Sequence, residues 1–258
     1  MNLLQVVVMA LVEGITEFLP ISSTGHLILT AKLLNIAQTD FVKSFEIIIQ
    51  LGAILAIVVL YFKKFVKDYQ TWIRLVVAFI PTGIIGLTVY GALKRYLLGN
   101  LIIDVIALFI GGIFMIVLEK YFASKQSSTI PIAKLSLGRS LLIGLTQSIA
   151  LIPGVSRAGA TIYGALFVGL NRKSATEFSF LLAVPTMLAA SLFDTLKSKD
   201  IILQSQNLAP LCLGFILSFV SALITVKWLV GYVQKHNFIV FGVYRMVLAI
   251  VFLIFAIL

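Results

Sequence analysis

Two stretches of this chain carry residue types that can do chemistry. The first is Glu13-Gly-Ile-Thr-Glu17-Phe-Leu-Pro20-Ile-Ser22-Ser23-Thr24-Gly-His26. Glu13 and Glu17 are four apart, which on a helix puts both carboxylates on one face, one turn from each other. Two carboxylates held close in a low-dielectric setting cannot comfortably both stay ionised, so one takes a proton, meets a cation or holds a metal. Pro20 ends the helix, since it lacks an N–H and disfavours helical geometry before it. Ser22, Ser23 and Thr24 then offer hydroxyls beside free backbone donors, the makings of an anion site, although serine there also serves as an ordinary helix cap. His26 lies within one helical turn of Ser23, placed to exchange a proton or orient a phosphate.

The second stretch is Pro153-Gly154-Val-Ser156-Arg157-Ala-Gly-Ala-Thr161. The Arg157 guanidinium is a planar fork suited to phosphate oxygens and has no obvious route to water. Gly154 lets backbone N–H groups approach an anion, and Ser156 and Thr161 add hydroxyls. Glu46 and Gln50 share a helix face near the start of a span and are candidates to line the same cavity, with an ordinary helix-start carboxylate an equal reading of Glu46. Asp104 and Glu177 sit near span ends and read as interfacial, Glu177 within reach of Lys173. Gly83–Gly86 and Gly111–Gly112 read as helix-packing contacts.

The elements that must position these residues are membrane elements. Of 258 residues, 60% are hydrophobic and only 12% charged, with a mean hydropathy of +1.11, whereas about 25% charged is ordinary for a soluble domain. The chain is expected to be an all-α polytopic membrane protein forming one membrane domain. Its formal charge of +10 is scattered in gaps between apolar runs, which fits positive-inside loops against anionic headgroups and argues against nucleic acid. The lone Cys212 lies in an apolar run, so neither a disulfide framework nor a zinc cluster is expected. Met1–Val12 has no basic n-region, which argues against a cleaved signal peptide.

Asn2–Phe18 and Leu27–Leu34 are each shorter than the roughly 20 apolar residues that a span needs, and they read as two halves of a re-entrant hairpin with the polar motif near its tip. Full spans are expected at Phe45–Phe62, Arg74–Leu93 and Leu101–Leu118. After a basic connection from Glu119 to Lys134 the plan repeats: Leu137–Ile152, a break at Pro153, a short piece to Leu170, then spans at Ala175–Phe193, Leu208–Val230 and Phe238–Leu258. Gly14-Ile-Thr-Glu17 matches Gly144-Leu-Thr-Gln147, and Pro20-x-x-Ser23 matches Pro153-x-x-Ser156. Repeat one is 1–118, the connecting loop 119–136 and repeat two 137–258.

The basic gaps (Lys63, Lys64, Lys67 and Arg74; Lys120, Lys125, Lys134 and Arg139; Arg172–Lys173; Lys227–Lys235) can all lie on the cytoplasmic side if each half crosses three times. The first hairpin then enters from outside and the second from inside, giving two inverted-topology repeats. Lys94 and Arg95 fall outside and dissent.

Glu13 to His26 resembles the first signature of the undecaprenyl-diphosphatase family of bacitracin-resistance type, and Pro153 to Thr161 resembles the second. Phe45-Glu46-Ile-Ile-Ile-Gln50-Leu-Gly52 is similar to a third recurrent stretch, and the likeness spans essentially the whole chain. Ala158 departs from the pattern, standing where many members have serine. The resemblance implies a membrane phosphatase that cleaves a C55-isoprenyl diphosphate to the monophosphate and inorganic phosphate, recycling the lipid carrier of cell-wall synthesis. It implies a bacterial plasma membrane location with the site facing outward, and a divalent cation, Mg2+ or Ca2+. By resemblance Glu13 and Glu17 belong to the catalytic site, Ser23 and His26 match the residues argued over as nucleophile or base, and Arg157 matches the arginine that holds the diphosphate.

The chemistry agrees with this. Phosphoryl transfer needs positioning and charge neutralisation, which Arg157, backbone donors and a cation held by Glu13 and Glu17 can supply. Ser23 needs a base, either Glu17 or His26; alternatively His26 attacks or activates water. The partners expected are the lipid diphosphate and the bilayer, with a homodimer as the candidate assembly. The competing class is a transporter or flippase of a phosphate or lipid phosphate, since inverted repeats with broken helices around an anion site are also a transporter's architecture.

Overall fold

The computed structural model describes residues 1–92, 97, 101–123, 130–197, 199–202 and 204–257. It is all-α. The first pair of helices, α1 (Leu3–Thr16) and α2 (Ser23–Leu33), is followed by α3 (Asp40–Leu60), the short α4 (Phe62–Lys67), α5 (Tyr69–Ala92) and α6 (Leu101–Ala123). A second short pair, α7 (Leu137–Ser148) and α8 (Arg157–Phe167), precedes α9 (Arg172–Lys197), the single turn α10 (Lys199–Ile202), α11 (Ser205–Tyr232) and α12 (Ile239–Ile257).

At 14 and 11 residues, α1 and α2 reach only about 21 and 17 Å, short of a hydrocarbon core of about 30 Å. With 12 and 11 residues, α7 and α8 are equally short, so no helix of either pair is long enough to cross on its own. Among the described residues five helices are long and apolar enough to cross it: Asp40–Leu60, Tyr69–Val89, Leu101–Ala123, Arg172–Leu192 and Asn207–Tyr232. The sixth expected span corresponds to α12, whose apolar stretch Ile239–Ile254 is shorter. Large apolar side chains such as Leu87, Ile102, Ile224 and Val240 point outward on these helices, as lipid-facing residues do.

The long helices hold the short ones. Helix α1 lies along α11 and α7 along α5; α3 packs on α9 and α11, α5 on α9, and α6 on α12. Glycines allow two of these close approaches. A Cβ on Gly14 would overlap Ser221 and the Ser218 carbonyl of α11, and one on Gly144 would overlap the Ala78 carbonyl of α5. Both glycines occupy the same place in the matching tetrapeptides, and each lets a short helix lie against the long helix of the other half.

Several expectations change. Helix α3 starts at Asp40 because Thr39 caps it, its Oγ1 accepting from the Val42 N–H at 3.3 Å. Helix α6 continues to Ala123, so Glu119 and Lys120 are helical and not part of the connection. The cause is Arg172, whose Nη2 lies 2.6 Å from Oε2 of the buried Glu119 and ties the end of α6 to the start of α9. Glu177 pairs with Lys64 Nζ at 2.5 Å and not with Lys173. Asp104, in the first turn of α6, is buried against the Gly154 turn, and neither of its carboxylate oxygens has a hydrogen-bond partner. Lys94, Arg95 and Lys125 lie outside the described residues.

Candidate active site

The two hairpin turns meet at Glu17. The Glu17 N–H donates to the Glu13 carbonyl at 2.9 Å, so both carboxylates lie one turn apart as the spacing predicts. Glu17 Oε2 accepts from Ser23 Oγ at 2.5 Å, and Glu17 Oε1 lies 3.3 Å from Arg157 Nη2. One carboxylate thus joins the hydroxyl of the first motif to the guanidinium of the second. The Arg157 side chain is 14% exposed and that of Glu17 5%; shielding from water strengthens the attraction between the two charges but costs their desolvation, so removing either leaves a buried charge unpaired.

Arg157 is aimed by its surroundings. Ser156 caps α8, its Oγ accepting from the Gly159 N–H at 3.1 Å, which makes Arg157 the first helical residue. Nη1 donates to the Ser179 carbonyl of α9 at 3.0 Å, and the guanidinium lies 5.8 Å from the centroid of the Phe18 ring. Phe18 is fully buried and meets Phe180 edge-on at 5.5 Å. Nε has no hydrogen-bond partner, so the fork keeps one donor unspent.

Ser22 stands before α2 with φ at 72°, a left-handed conformation that a non-glycine residue holds only when its surroundings enforce it. Its side chain makes no cap bond. Instead its carbonyl is gripped by His26: Nδ1 lies 2.7 Å away and the backbone N–H 3.3 Å. Since a carbonyl only accepts, Nδ1 carries the proton. Nε2 lies 2.8 Å from the Tyr244 hydroxyl of α12, and the two rings are parallel within 7°. Both imidazole nitrogens are therefore engaged away from Ser23, and Ser23 is turned to Glu17.

Glu13 is 1% exposed, and neither of its carboxylate oxygens has a hydrogen-bond partner. Thr24 is exposed on the first turn of α2. Gly154, at φ 82°, forms the second turn and gives its carbonyl to Arg245 of α12. Thr161 is buried one turn after Arg157, its hydroxyl bonded to the Arg157 carbonyl at 2.9 Å and to Gln147 Oε1 at 3.2 Å. Gln147, the counterpart of Glu17 in the second half, also donates to Thr82 Oγ1 at 3.0 Å. Gln50 accepts from Ser191 Oγ at 3.0 Å on α9. The turn thus gathers Glu17, Ser23 and Arg157 directly, with Glu13, Ser22, His26 and Ser156 behind them; Gln50 and Thr161 are bonded within the helix bundle.

Three residues escaped the sequence reading: Phe18 beneath the guanidinium, Tyr244 on His26, and Arg245 on both turns. A lone arginine inside the last apolar span was the available signal.

Comparison with known proteins supplies the lineage. The chain is 52% identical over 251 residues to the undecaprenyl-diphosphatase of Aquifex aeolicus, covering 97% of each chain. It is 48% identical over 255 residues to that of Sulfurihydrogenibium sp., covering 98% of each, and 46% identical over 255 residues to that of Persephonella marina, covering 99% of each. Residues 6–251 match the family described as bacitracin resistance protein BacA. This multi-pass membrane chain belongs to the bacitracin resistance protein BacA family.

Proposed function

We propose that the protein hydrolyses undecaprenyl diphosphate to undecaprenyl phosphate and inorganic phosphate in the bacterial plasma membrane, with the site opening to the outer side. The observation that carries this reading is the Glu17 carboxylate bonded on one oxygen to Ser23 Oγ at 2.5 Å and on the other to Arg157 Nη2 at 3.3 Å. A hydroxyl, its base and a phosphate-holding fork are thereby brought together from two hairpins.

In the first step Ser23 Oγ attacks the terminal phosphorus and gives its proton to Glu17. The bridging P–O bond breaks, and the lipid monophosphate leaves with that bond's electron pair. Glu17 passes the serine proton to the leaving lipid phosphate and is a carboxylate again. Water then attacks the phosphoserine and gives a proton to Glu17, which returns it to Ser23 Oγ as the P–Oγ bond breaks and inorganic phosphate departs. Arg157 turns from Glu17 toward the phosphate oxygens as negative charge builds on them, its free Nε adding a donor. His26 keeps the Ser22 carbonyl, and so the strained turn, in place throughout.

The donor set fits a divalent cation, Mg2+ or Ca2+. The buried, unpartnered Glu13 carboxylate and Glu17 offer hard oxygens one turn apart. Among the described residues no cluster of three His, Cys, Asp or Glu side chains gathers, so substrate phosphate and water would complete the shell, as Mg2+ sites commonly do. A bound cation supplies neutralisation of the diphosphate charge. The pairing of α1 with α11 and of α7 with α5, with Gly14 and Gly144 at matching contacts, supports two inverted halves around this site. A phosphate carrier would use Arg157 but has no need of a serine bonded to a carboxylate, which is why the phosphatase reading is preferred to a transporter.

The test is phosphate release from a polyprenyl diphosphate by detergent-purified protein. Wild type is expected to release phosphate, and Glu17→Gln, Arg157→Ala and chelator each to abolish it. Binding without release by folded wild type would favour the carrier.

A further inference from the structure

Arg245 sits in the middle of α12 and is 2% exposed. Its hydrogen bonds all go to backbone carbonyls. Nη1 donates to Pro20 at 3.3 Å, Nη2 to Gly154 at 3.0 Å and to Ala107 at 3.1 Å, and Nε to Leu108 at 3.4 Å. These acceptors come from the first hairpin turn, the second hairpin turn and α6. A buried guanidinium held by carbonyl dipoles alone is costly, and an apolar residue would fill the space with less penalty. What the arginine adds is geometry, because a rigid fork can hold several acceptors at fixed mutual positions.

The acceptors are well placed for that. Pro20 lies between Glu17 and Ser23, and Gly154 is three residues before Arg157. The neighbouring Tyr244 reaches His26, which grips the Ser22 carbonyl. Helix α6 makes room for this arrangement: a Cβ on Gly111 would overlap the Arg245 guanidinium.

We propose that Arg245 is a positioning residue that sets the spacing between the two hairpin turns, and through it the register of Ser23 and Glu17 against Arg157. It divides its donors between the two turns and α6, and acts on the reaction only through the backbone it holds. This inference deepens the phosphatase reading and rests on it for its kinetic readout.

The test uses Arg245→Lys, which keeps the charge and loses the fork, and Gly111→Ala, which keeps the arginine and crowds it. Spin labels at Ile15→Cys and Ile149→Cys, in a Cys212→Ser background, report the separation of the hairpins. Both variants are expected to broaden or shift a distance distribution that is narrow without them. In the unlabelled protein kcat is expected to fall about 10- to 100-fold while KM stays within about threefold, as for a misplacement near 1 Å. Should Arg245→Lys fail to fold, Gly111→Ala carries the test alone. Unchanged distances with unchanged kcat would overturn the proposal, and so would a raised KM with kcat retained, which would make Arg245 a substrate anchor. If wild type releases no phosphate, the functional reading falls while the distances still judge the clamp.

Discussion

Glu17 and Arg157, 140 residues apart in sequence, stand 3.3 Å apart in the fold and join the two hairpins at one carboxylate. Arg157 gives Nη2 to this carboxylate and Nη1 to the Ser179 carbonyl, a spread between two fixed nitrogens that the single Nζ of a lysine does not reproduce. Arg157→Lys is expected to lower kcat/KM by about 10²–10³-fold, the scale of losing a preorganised donor at a developing charge. Initial rates across substrate concentration would check it; a loss under threefold would show that the fork is not needed.

His26 supports the turn before α2. Its Nδ1 holds the Ser22 carbonyl, while Nε2 meets Tyr244. Asparagine can donate from a similar position, so His26→Asn should retain clearly more activity than His26→Ala. Tyr244→Phe, which removes one neutral hydrogen bond worth about 1 kcal/mol, should cost only about fivefold. Equal inactivation of His26→Asn and Glu17→Gln would instead return His26 to the role of base.

The close contacts of the short helices predict a stability pattern. Gly14→Ala and Gly144→Ala each force a methyl into a facing helix, and overpacking of this kind costs about 1–3 kcal/mol. Gly138→Ala meets nothing within 4 Å and should be neutral. Thermal unfolding in detergent separates the two classes, and equal melting temperatures would contradict the packing.

Much of this site was legible because its parts are local. The carboxylate spacing, the proline breaks and the paired tetrapeptides each lie within a few residues, and together they located Glu17, Ser23 and Arg157. Inter-element partners were not legible. Glu119 looked like a loop residue until Arg172, 53 positions later, drew it into α6. Arg245 has only carbonyl partners, which carry no residue signature, so α12 read as one more apolar span. Gln50 and Thr161 have the right chemistry for a phosphate, but their bonds to Ser191 and Gln147 arise from helix packing that spacing does not encode.

The Glu119–Arg172 pair gives a further test of that packing. Glu119 is 1% exposed at its side chain and Arg172 27%; removing one partner of a buried pair costs up to about 3–5 kcal/mol. Glu119→Ala should therefore destabilise strongly. Asp40→Ala, which breaks the exposed Asp40–Lys43 pair with side chains 75% and 62% exposed, should shift unfolding little. Similar shifts for the two would contradict the burial.

In the proposed reaction Ser23, bonded to Glu17, is the attacking group. Phosphate release by folded Ser23→Ala that still binds the lipid diphosphate tests it most directly. A loss of at least about 10³-fold is expected, as when a nucleophile acting with its base is removed. Release within about tenfold of wild type would mean that Ser23 does not attack and that the Glu17 carboxylate serves water instead.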